Sequence, residues 1–244
     1  MRTLAVILAR AGSKGLPGKN ERPLAGRPCL DWTIDHALRA ERADRVCLST
    51  DGGTLAEIGV KRGVHVVRRE ASLASDSATV DAAARDALVR VEAEHGRFDA
   101  VVVLYANVPV RPDALVDDAI ATLERTGCDS VQSYAKVGKH HPEWTAVVDG
   151  DARVRPYAGD VLNGGIHRRQ DLPPAHLPDG GVIACTRAAL MLELEGVQPG
   201  PHAFFGRDRR GVLTDEGAVI DIDTELDAIV AEAVLRRRAG QHAA

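Results

Sequence analysis

The chain has 244 residues, enough for one large domain or one domain carrying a small insertion. Lys and Arg number 31 against 35 Asp and Glu, a net charge of −4, which argues against a general nucleic-acid coat and leaves no acidic tail. With 45% apolar and 27% charged residues the composition is globular, and no apolar run approaches the ~18 residues of a membrane span.

Leu4–Ala9 is continuously apolar, as a central parallel strand buried on both faces would be. The run stops at Arg10–Lys14, too short for a signal peptide, so a cytoplasmic protein is expected. A Gly/Lys/Pro-rich segment, Arg10–Asn20, follows. A helix is predicted from Pro28, with Leu30, Ile34 and Leu38 on one face. Val46–Thr50 is a short strand ending at Asp51. A helix over residues 54–62 and a strand over 64–67 come next. Val80, Ala84, Leu88 and Val91 form a second helical stripe, and Val101–Leu104 a further buried strand. Residues 113–125 read as a helix with Leu115, Ala119 and Leu123 inward, and Ser130–Tyr134 as a short strand.

Residues 138–179 break the pattern. They are rich in His, Pro, Arg and Gly, without long apolar periodicity, and read as an excursion that closes a pocket or meets a second subunit. Gly181–Cys185 and Val219–Asp223 return to strand character. Residues 224–238 form the last helix, with Leu226, Ile229, Val230, Ala233 and Val234 as its packing face and Arg236–Arg238 near its negative end. Strands alternating with amphipathic helices make an α/β fold: a Rossmann-like, open, mostly parallel sheet with helices on both faces. Cys29, Cys47, Cys128 and Cys185 are far apart and form no CxxC, which argues against a disulfide scaffold or a structural zinc site.

In open α/β sheets ligands bind beyond the carboxyl ends of the strands. Three segments there, or in the excursion, carry chemistry. Arg10, Ala11, Gly12, Ser13, Lys14, Gly15, Lys19 and Asn20 combine glycines, which let N–H groups converge on anionic oxygen, with three cations. That suits a triphosphate and a departing pyrophosphate, although the segment is neither GxxxxGK[ST] nor GxGxxG. Asp221 and Asp223 are spaced to share one face of a strand, about 7 Å apart at Cα, a donor set suited to Mg²⁺. Helix capping is the competing role for Asp223. Asp51, at its own strand end, is read either as a nucleotide or metal contact or as a helix cap. Arg168, Arg169 and Gln170 offer paired donors for a carboxylate or phosphonate, with Lys139 and His141 nearby. His140 and His141 lack a third ligand at a telling spacing.

These pieces together resemble the acylneuraminate cytidylyltransferase family. Leu8–Asn20 is similar to its Pro-Ala-Arg-Gly-Gly-Ser-Lys-Gly-Ile-Pro-x-Lys-Asn loop, and Ser49–Asp51 to its Ser-Thr-Asp-Asp element. Arg69, Leu73 and Asp76 sit like its Arg-Pro-x-x-Leu-x-x-Asp; residues 168–174 and 221–223 also resemble family segments. The resemblance covers residues 4 to 230. It departs at Ala11, Gly52 and Glu70. It departs most at Leu104–Arg111, where Tyr105 replaces a Gln of Leu-Gln-Pro-Thr-Ser-Pro-Leu-Arg.

The resemblance implies one nucleotidyltransferase domain over residues 1–244, with residues 138–179 as pocket lid and dimerisation element. It implies CMP transfer from CTP to a nonulosonate-type α-keto sugar acid, with Mg²⁺ as cofactor and pyrophosphate released. The implied partners are CTP, an anionic acceptor and a second copy of the chain in a homodimer, with no nucleic acid or membrane. Arg10 and Lys19 become catalytic. Asp51 and Arg69 join Arg10–Asn20 at the nucleotide. Tyr105, Asn107, Arg111, Lys139, His141 and Arg168–Gln170 face the acceptor, and Asp221 and Asp223 hold the metal. Two alternatives stand beside this: CTP-dependent transfer to another anionic acceptor, such as a small phosphonate, and a non-catalytic nucleotide-binding or scaffold protein.

Overall fold

The structure, a computed structural model, describes residues 1–12, 15–75 and 77–242. Its elements run β1 (Thr3–Ala9), a hairpin of β2 (Pro23–Leu24) and β3 (Arg27–Pro28), α1 (Cys29–Arg39), β4 (Arg45–Thr50), α2 (Gly53–Lys61) and β5 (His65–Arg68). Then come α3 (Ala71–Ala74), α4 (Val80–His95), β6 (Ala100–Tyr105), α5 (Leu115–Thr126) and β7 (Ser130–Lys136). The excursion carries the hairpin of β8 (Ala146–Val148) and β9 (Val154–Pro156). The chain ends with β10 (His176–Thr186), α6 (Arg187–Leu190), β11 (Arg209–Thr214) and α7 (Glu225–His242).

Seven strands form one sheet in the order β11-β7-β10-β6-β1-β4-β5. β10 alone runs antiparallel to its neighbours, β6 and β7; the other adjacent pairs are parallel. From β1 the chain steps outward to β4 and β5, then returns to β6 on the other side of β1. That reversal opens a crevice at the carboxyl ends of β1 and β6.

The continuously apolar strands are covered on both faces, as such strands require. Ala5, Ile7 and Ala9 of β1 pack with Leu30 and Ile34 of α1 and with Leu115, Ala119 and Leu123 of α5. Leu4 and Val6 point the other way, into Ala84, Leu88 and Val91 of α4. Thr79 caps α4, its Oγ1 accepting from Ala82 N–H at 3.4 Å. Gly127, at φ +63°, ends α5 in the left-handed conformation, its N–H reaching Leu123 C=O at 3.0 Å.

Several expectations are corrected. Val219–Asp223 is not a strand: it makes one isolated bridge, Val110 to Ile220, and is otherwise irregular. The missed strand is β11, whose Arg-rich start hides it; only its last residue, Thr214, is buried. β10 begins inside the stretch read as irregular, pairing His176 and Pro178 with β7. On α1 the inward residue is Ala37, and Leu38 is exposed. On α7 the packing face is Ala228, Ala231 and Leu235, joined to Leu24, Val110 and Ile222, with the expected Val234 packed against it, while Leu226, Ile229 and Val230 face outward. Small alanines let α7 lie close over the β2–β3 hairpin, so the larger residues are left outside. All four cysteines are buried and unpaired, and burial pushes Cys29, Cys47 and Cys185 up to about 12. Among the described residues no helix is long and apolar enough to cross a membrane.

Candidate active site

The crevice holds a cavity of about 290 Å³ lined by residues from both flanking strands, among them Leu8, Arg10, Lys19, Asn20, Arg69, Tyr105 and Asn107. The loop after β1 is tied at both ends. Ala11 N–H donates to Asp51 Oδ1 at 2.9 Å, and Asn20 Nδ2 donates to Arg10 C=O at 2.9 Å. Asn20 C=O in turn accepts from Leu30 N–H at 2.9 Å, fixing the loop to the start of α1. Asp51 therefore shapes this loop and caps no helix: the residue before α2 is Gly52, with no side-chain cap. Arg69 reaches inward from the end of β5, donating to Ser49 Oγ (3.1 Å) and Ser49 C=O (2.8 Å). Burial lowers its pKa, and the Asp51 carboxylate opposes that shift. Ser13, Lys14 and Asp76 lie outside the described residues.

The chain's far end meets this loop. Lys19 Nζ lies 2.6 Å from Asp223 Oδ1, and the Lys19 side chain is only 15% exposed. A Cβ added at Gly15 would come within 3.0 Å of the Asp223 carbonyl oxygen, so glycine permits the loop to press against that segment. Asp221 accepts a hydrogen bond from Asn107 Nδ2, and Ile222 N–H donates to Asn107 C=O at 2.9 Å. Burial raises Asp221 to about 6; the Asp223 charge adds to this and Lys19 and Arg111 oppose it. Helix capping falls elsewhere, to Thr224 and Asp227: Asp227 Oδ2 accepts from Thr224 N–H at 2.8 Å, and Asp227 N–H donates to Thr224 Oγ1 at 3.3 Å. Asp221 and Asp223 are thus left for another use.

Arg111 is corrected from acceptor ligand to internal anchor. It is fully buried, and its guanidinium donates to the carbonyls of Gly181 (2.6 Å), Tyr105 (2.9 Å) and Val108, and to Thr33 Oγ1 (3.0 Å). It ties down the turn that carries Tyr105 and Asn107. Half-buried Tyr105 forms the wall between this cavity and a second one of about 600 Å³. The second is lined by Gln132, Tyr134, His202, Phe204, Phe205, Arg209 and Arg210 among others. The two share Ala78, Thr79, Val80 and Tyr105 in their linings.

A family model described as cytidylyltransferase matches residues 4–147. N-acylneuraminate cytidylyltransferase of Streptococcus agalactiae serotype III is 33% identical over 232 residues, 94% of this chain and 52% of that protein. CMP-N,N'-diacetyllegionaminic acid synthase of Legionella pneumophila is 31% identical, over 96% of this chain and 97% of that protein. The chain belongs to the cytidylyltransferase family. It spans about half the length of the first-ranked acylneuraminate relatives and nearly the whole of the legionaminic one. Among solved structures, CMP:2-keto-3-deoxy-manno-octonic acid synthetase in complex with CTP superposes with a TM-score of 0.70 at 14% identity, over 98% of this chain and 100% of that one. 4-Diphosphocytidyl-2C-methyl-D-erythritol synthase of Anaerococcus prevotii gives 0.63 at 18%, over 96% and 98%. These two show the shared fold.

The excursion's candidates line neither cavity. His141 is buried among its own loop: Nδ1 accepts from Glu143 N–H at 3.1 Å and Nε2 lies 3.0 Å from Pro173 C=O, so it is corrected to a structural residue. Lys139, Arg168 and Gln170 are exposed, and Arg169 pairs with Glu216. The second cavity draws instead on residues 201–210, outside the segments singled out above. Its signal was the basic run Arg207–Arg210 following Phe204 and Phe205, and the aromatic pair stacks at 4.2 Å between centroids.

Proposed function

We propose that the protein transfers CMP from CTP to the hydroxyl of a nonulosonate-type α-keto sugar acid and releases pyrophosphate. The observation that carries this reading is the meeting of Lys19 with Asp223 beside a crevice at the switch point of the sheet. Lys19 lines the crevice and touches Asp223, so cations for a triphosphate would stand beside carboxylates for a metal. The relatives named above, one an N-acylneuraminate and one a legionaminic acid enzyme, support a nine-carbon sugar acid as acceptor. The second cavity has room for such a molecule, with Arg209 and Arg210 as cations on its wall.

The oxygen-only pair Asp221 and Asp223 fits Mg²⁺: burial and mutual repulsion raise Asp221, a cost that a divalent cation would offset. When bound, the ion would supply charge neutralisation at the phosphate oxygens. Arg10, Lys19 and the backbone of residues 10–20 would hold the triphosphate, and Arg69 would add a third cation. The acceptor hydroxyl oxygen would form a bond to the α-phosphorus while the bond to the pyrophosphate oxygen breaks and the hydroxyl proton is lost. Alignment of the two ligands across Tyr105 and stabilisation of the departing charge by Lys19 and Arg10 would supply most of the rate. The excursion, with Val148, Val154, Tyr157, Val161 and Leu162 exposed, would dock on a second copy. Across that contact Arg168, Arg169, Gln170 and Lys139 would approach an acceptor.

The test is pyrophosphate release with each nucleoside triphosphate, Mg²⁺ and a panel of acceptors. Turnover with CTP and a nonulosonate is expected. Turnover only with a phosphonate would replace the acceptor, and tight CTP binding without acceptor-dependent release would make the protein a binding module.

A further inference from the structure

A second cluster lies at the opposite end of the sheet. His65 opens β5, whose other end delivers Arg69 to the nucleotide crevice, so the cluster stands a strand's length from Arg69. Glu94 and His95 close the last turn of α4, where Gly96 ends the helix at φ +76°. His65 Nδ1 lies 3.9 Å from Glu94 Oε2, and His95 Nε2 lies 3.7 Å from the same oxygen. The three donor atoms all fall within 4.8 Å of one another, with the imidazole rings edge to face at 5.5 Å. Among the described residues no other trio of His, Cys, Asp or Glu gathers its donors so closely.

One atom of this trio is unexplained. His95 Nε2 is buried from water and has no hydrogen-bond partner. A buried polar nitrogen without a partner is costly, by about 1–3 kcal/mol in general. Glu94 Oε2, at 3.7 Å, is too far to satisfy it, yet both atoms lie near His65 Nδ1. Donors bound to one tetrahedral zinc at about 2.0–2.2 Å stand roughly 3.3–3.5 Å apart. The two pairs with Glu94 lie about half an ångström beyond that spacing, and the two imidazole nitrogens, within 4.8 Å of each other, would close by up to about 1.4 Å. Two imidazole nitrogens and one carboxylate oxygen suit a borderline divalent ion and not Mg²⁺ or Ca²⁺. Glu94 is exposed, so the cluster lies at the protein surface. The other charged group at hand, Arg2, is occupied: it donates to the carbonyls of His95 and Arg97 and stacks on Phe98.

The geometry points to a divalent transition-metal site, of the zinc class, formed by His65, Glu94 and His95 and separate from the carboxylates that would hold Mg²⁺. Bound metal clips the edge strand β5 to the end of α4 and stabilises the fold by mass action. The experiment is isothermal titration of the chelator-treated protein with Zn²⁺ at pH 7.5, with visible absorption of Co²⁺ as a second probe. One ion per chain is expected, together with a Co²⁺ spectrum free of thiolate charge-transfer bands, because all four cysteines are buried. His65→Gln and His95→Gln should each weaken binding at least tenfold and abolish the Zn²⁺-dependent rise in Tm. Both should keep their Mg²⁺-dependent pyrophosphate release. No saturable binding, or binding unchanged in either variant, would overturn the site.

Discussion

At the scale of single residues, two buried or half-buried charges decide between structural and chemical roles. Asp221 sits beside Asp223 with its pKa raised to about 6. A carboxyl raised in the folded state binds more protons than in the unfolded chain between about pH 4 and 6. Its ionisation therefore costs stability above that window. Asp221→Asn removes the repulsion while leaving an oxygen to accept from Asn107. In metal-free protein at pH 7.5 the variant should gain about 1 kcal/mol, allowing for partial solvent screening, and its turnover should fall roughly tenfold or more. Thermal melts and pyrophosphate release check both; lost stability with intact turnover would make Asp221 a structural residue. Arg111 gives the opposite pattern. Arg111→Met leaves the carbonyls of Gly181, Val108 and Tyr105 without donors, so a loss of about 3 kcal/mol or more is expected in urea denaturation. An unchanged midpoint with a raised acceptor KM would return it to the binding site.

Among the elements, α1 carries a pH sensitivity. His36 is buried, and burial, then repulsion from Arg111, lowers its pKa to about 4, against the pull of Asp113 and the Pro109 carbonyl. The unfolded chain protonates this imidazole near pH 6.5 and the folded chain does not. Stability is thus complete above about pH 6.5 and declines as pH falls toward 4. Between pH 7.5 and pH 5 the native protein should lose about 2 kcal/mol more than His36→Gln. Equal losses in urea titrations would deny the shift. On α7 the contrast lies between faces. Ala231→Asp, at a fully buried position, should cost on the order of 3 kcal/mol, whereas Ile229→Lys, at an exposed one, should stay within ~0.5 kcal/mol. The reverse order would restore the large residues as the packing face.

That helix also shows where the sequence was readable. Strands buried on both faces, such as Leu4–Ala9 and Val101–Leu104, carry their burial in their composition. The loop between Arg10 and Asn20 could be placed because it follows one of them. On α7 apolarity alone misled, because Leu226, Ile229 and Val230 are larger than the alanines that pack. β11 escaped notice because an edge strand shows water its polar residues, Arg209 and Arg210 here. The spacing of Asp221 and Asp223 suggests a shared strand face, but hydrogen bonds from Ile220 to Val110 and from Ile222 to Asn107, not a strand ladder, hold that segment. Arg111 and His141 were misjudged because burial of a cation or an imidazole is a tertiary fact, set by carbonyls distant in the chain. The cavity wall at residues 201–210 arises from folding back against β7, which no local pattern announces.

For the molecule as a whole, the proposed function gives one task to the crevice at β1 and β6 and another to the excursion beyond β7. If the excursion joins two copies, Tyr157→Asp with Leu162→Asp should convert a dimer to a monomer in sedimentation velocity, with the fold intact by circular dichroism. A native protein already monomeric at micromolar concentration would reject that contact. The central claim is that nucleotide phosphates lie between the first loop and the carboxylates near the far end of the chain. A crystal structure with CTP and magnesium tests it most directly. The expected result is a triphosphate against residues 10–20 with Lys19 in contact, and a metal ligated by Asp221 and Asp223. Phosphates bound away from that loop, with both carboxylates remote from any ion, would contradict it.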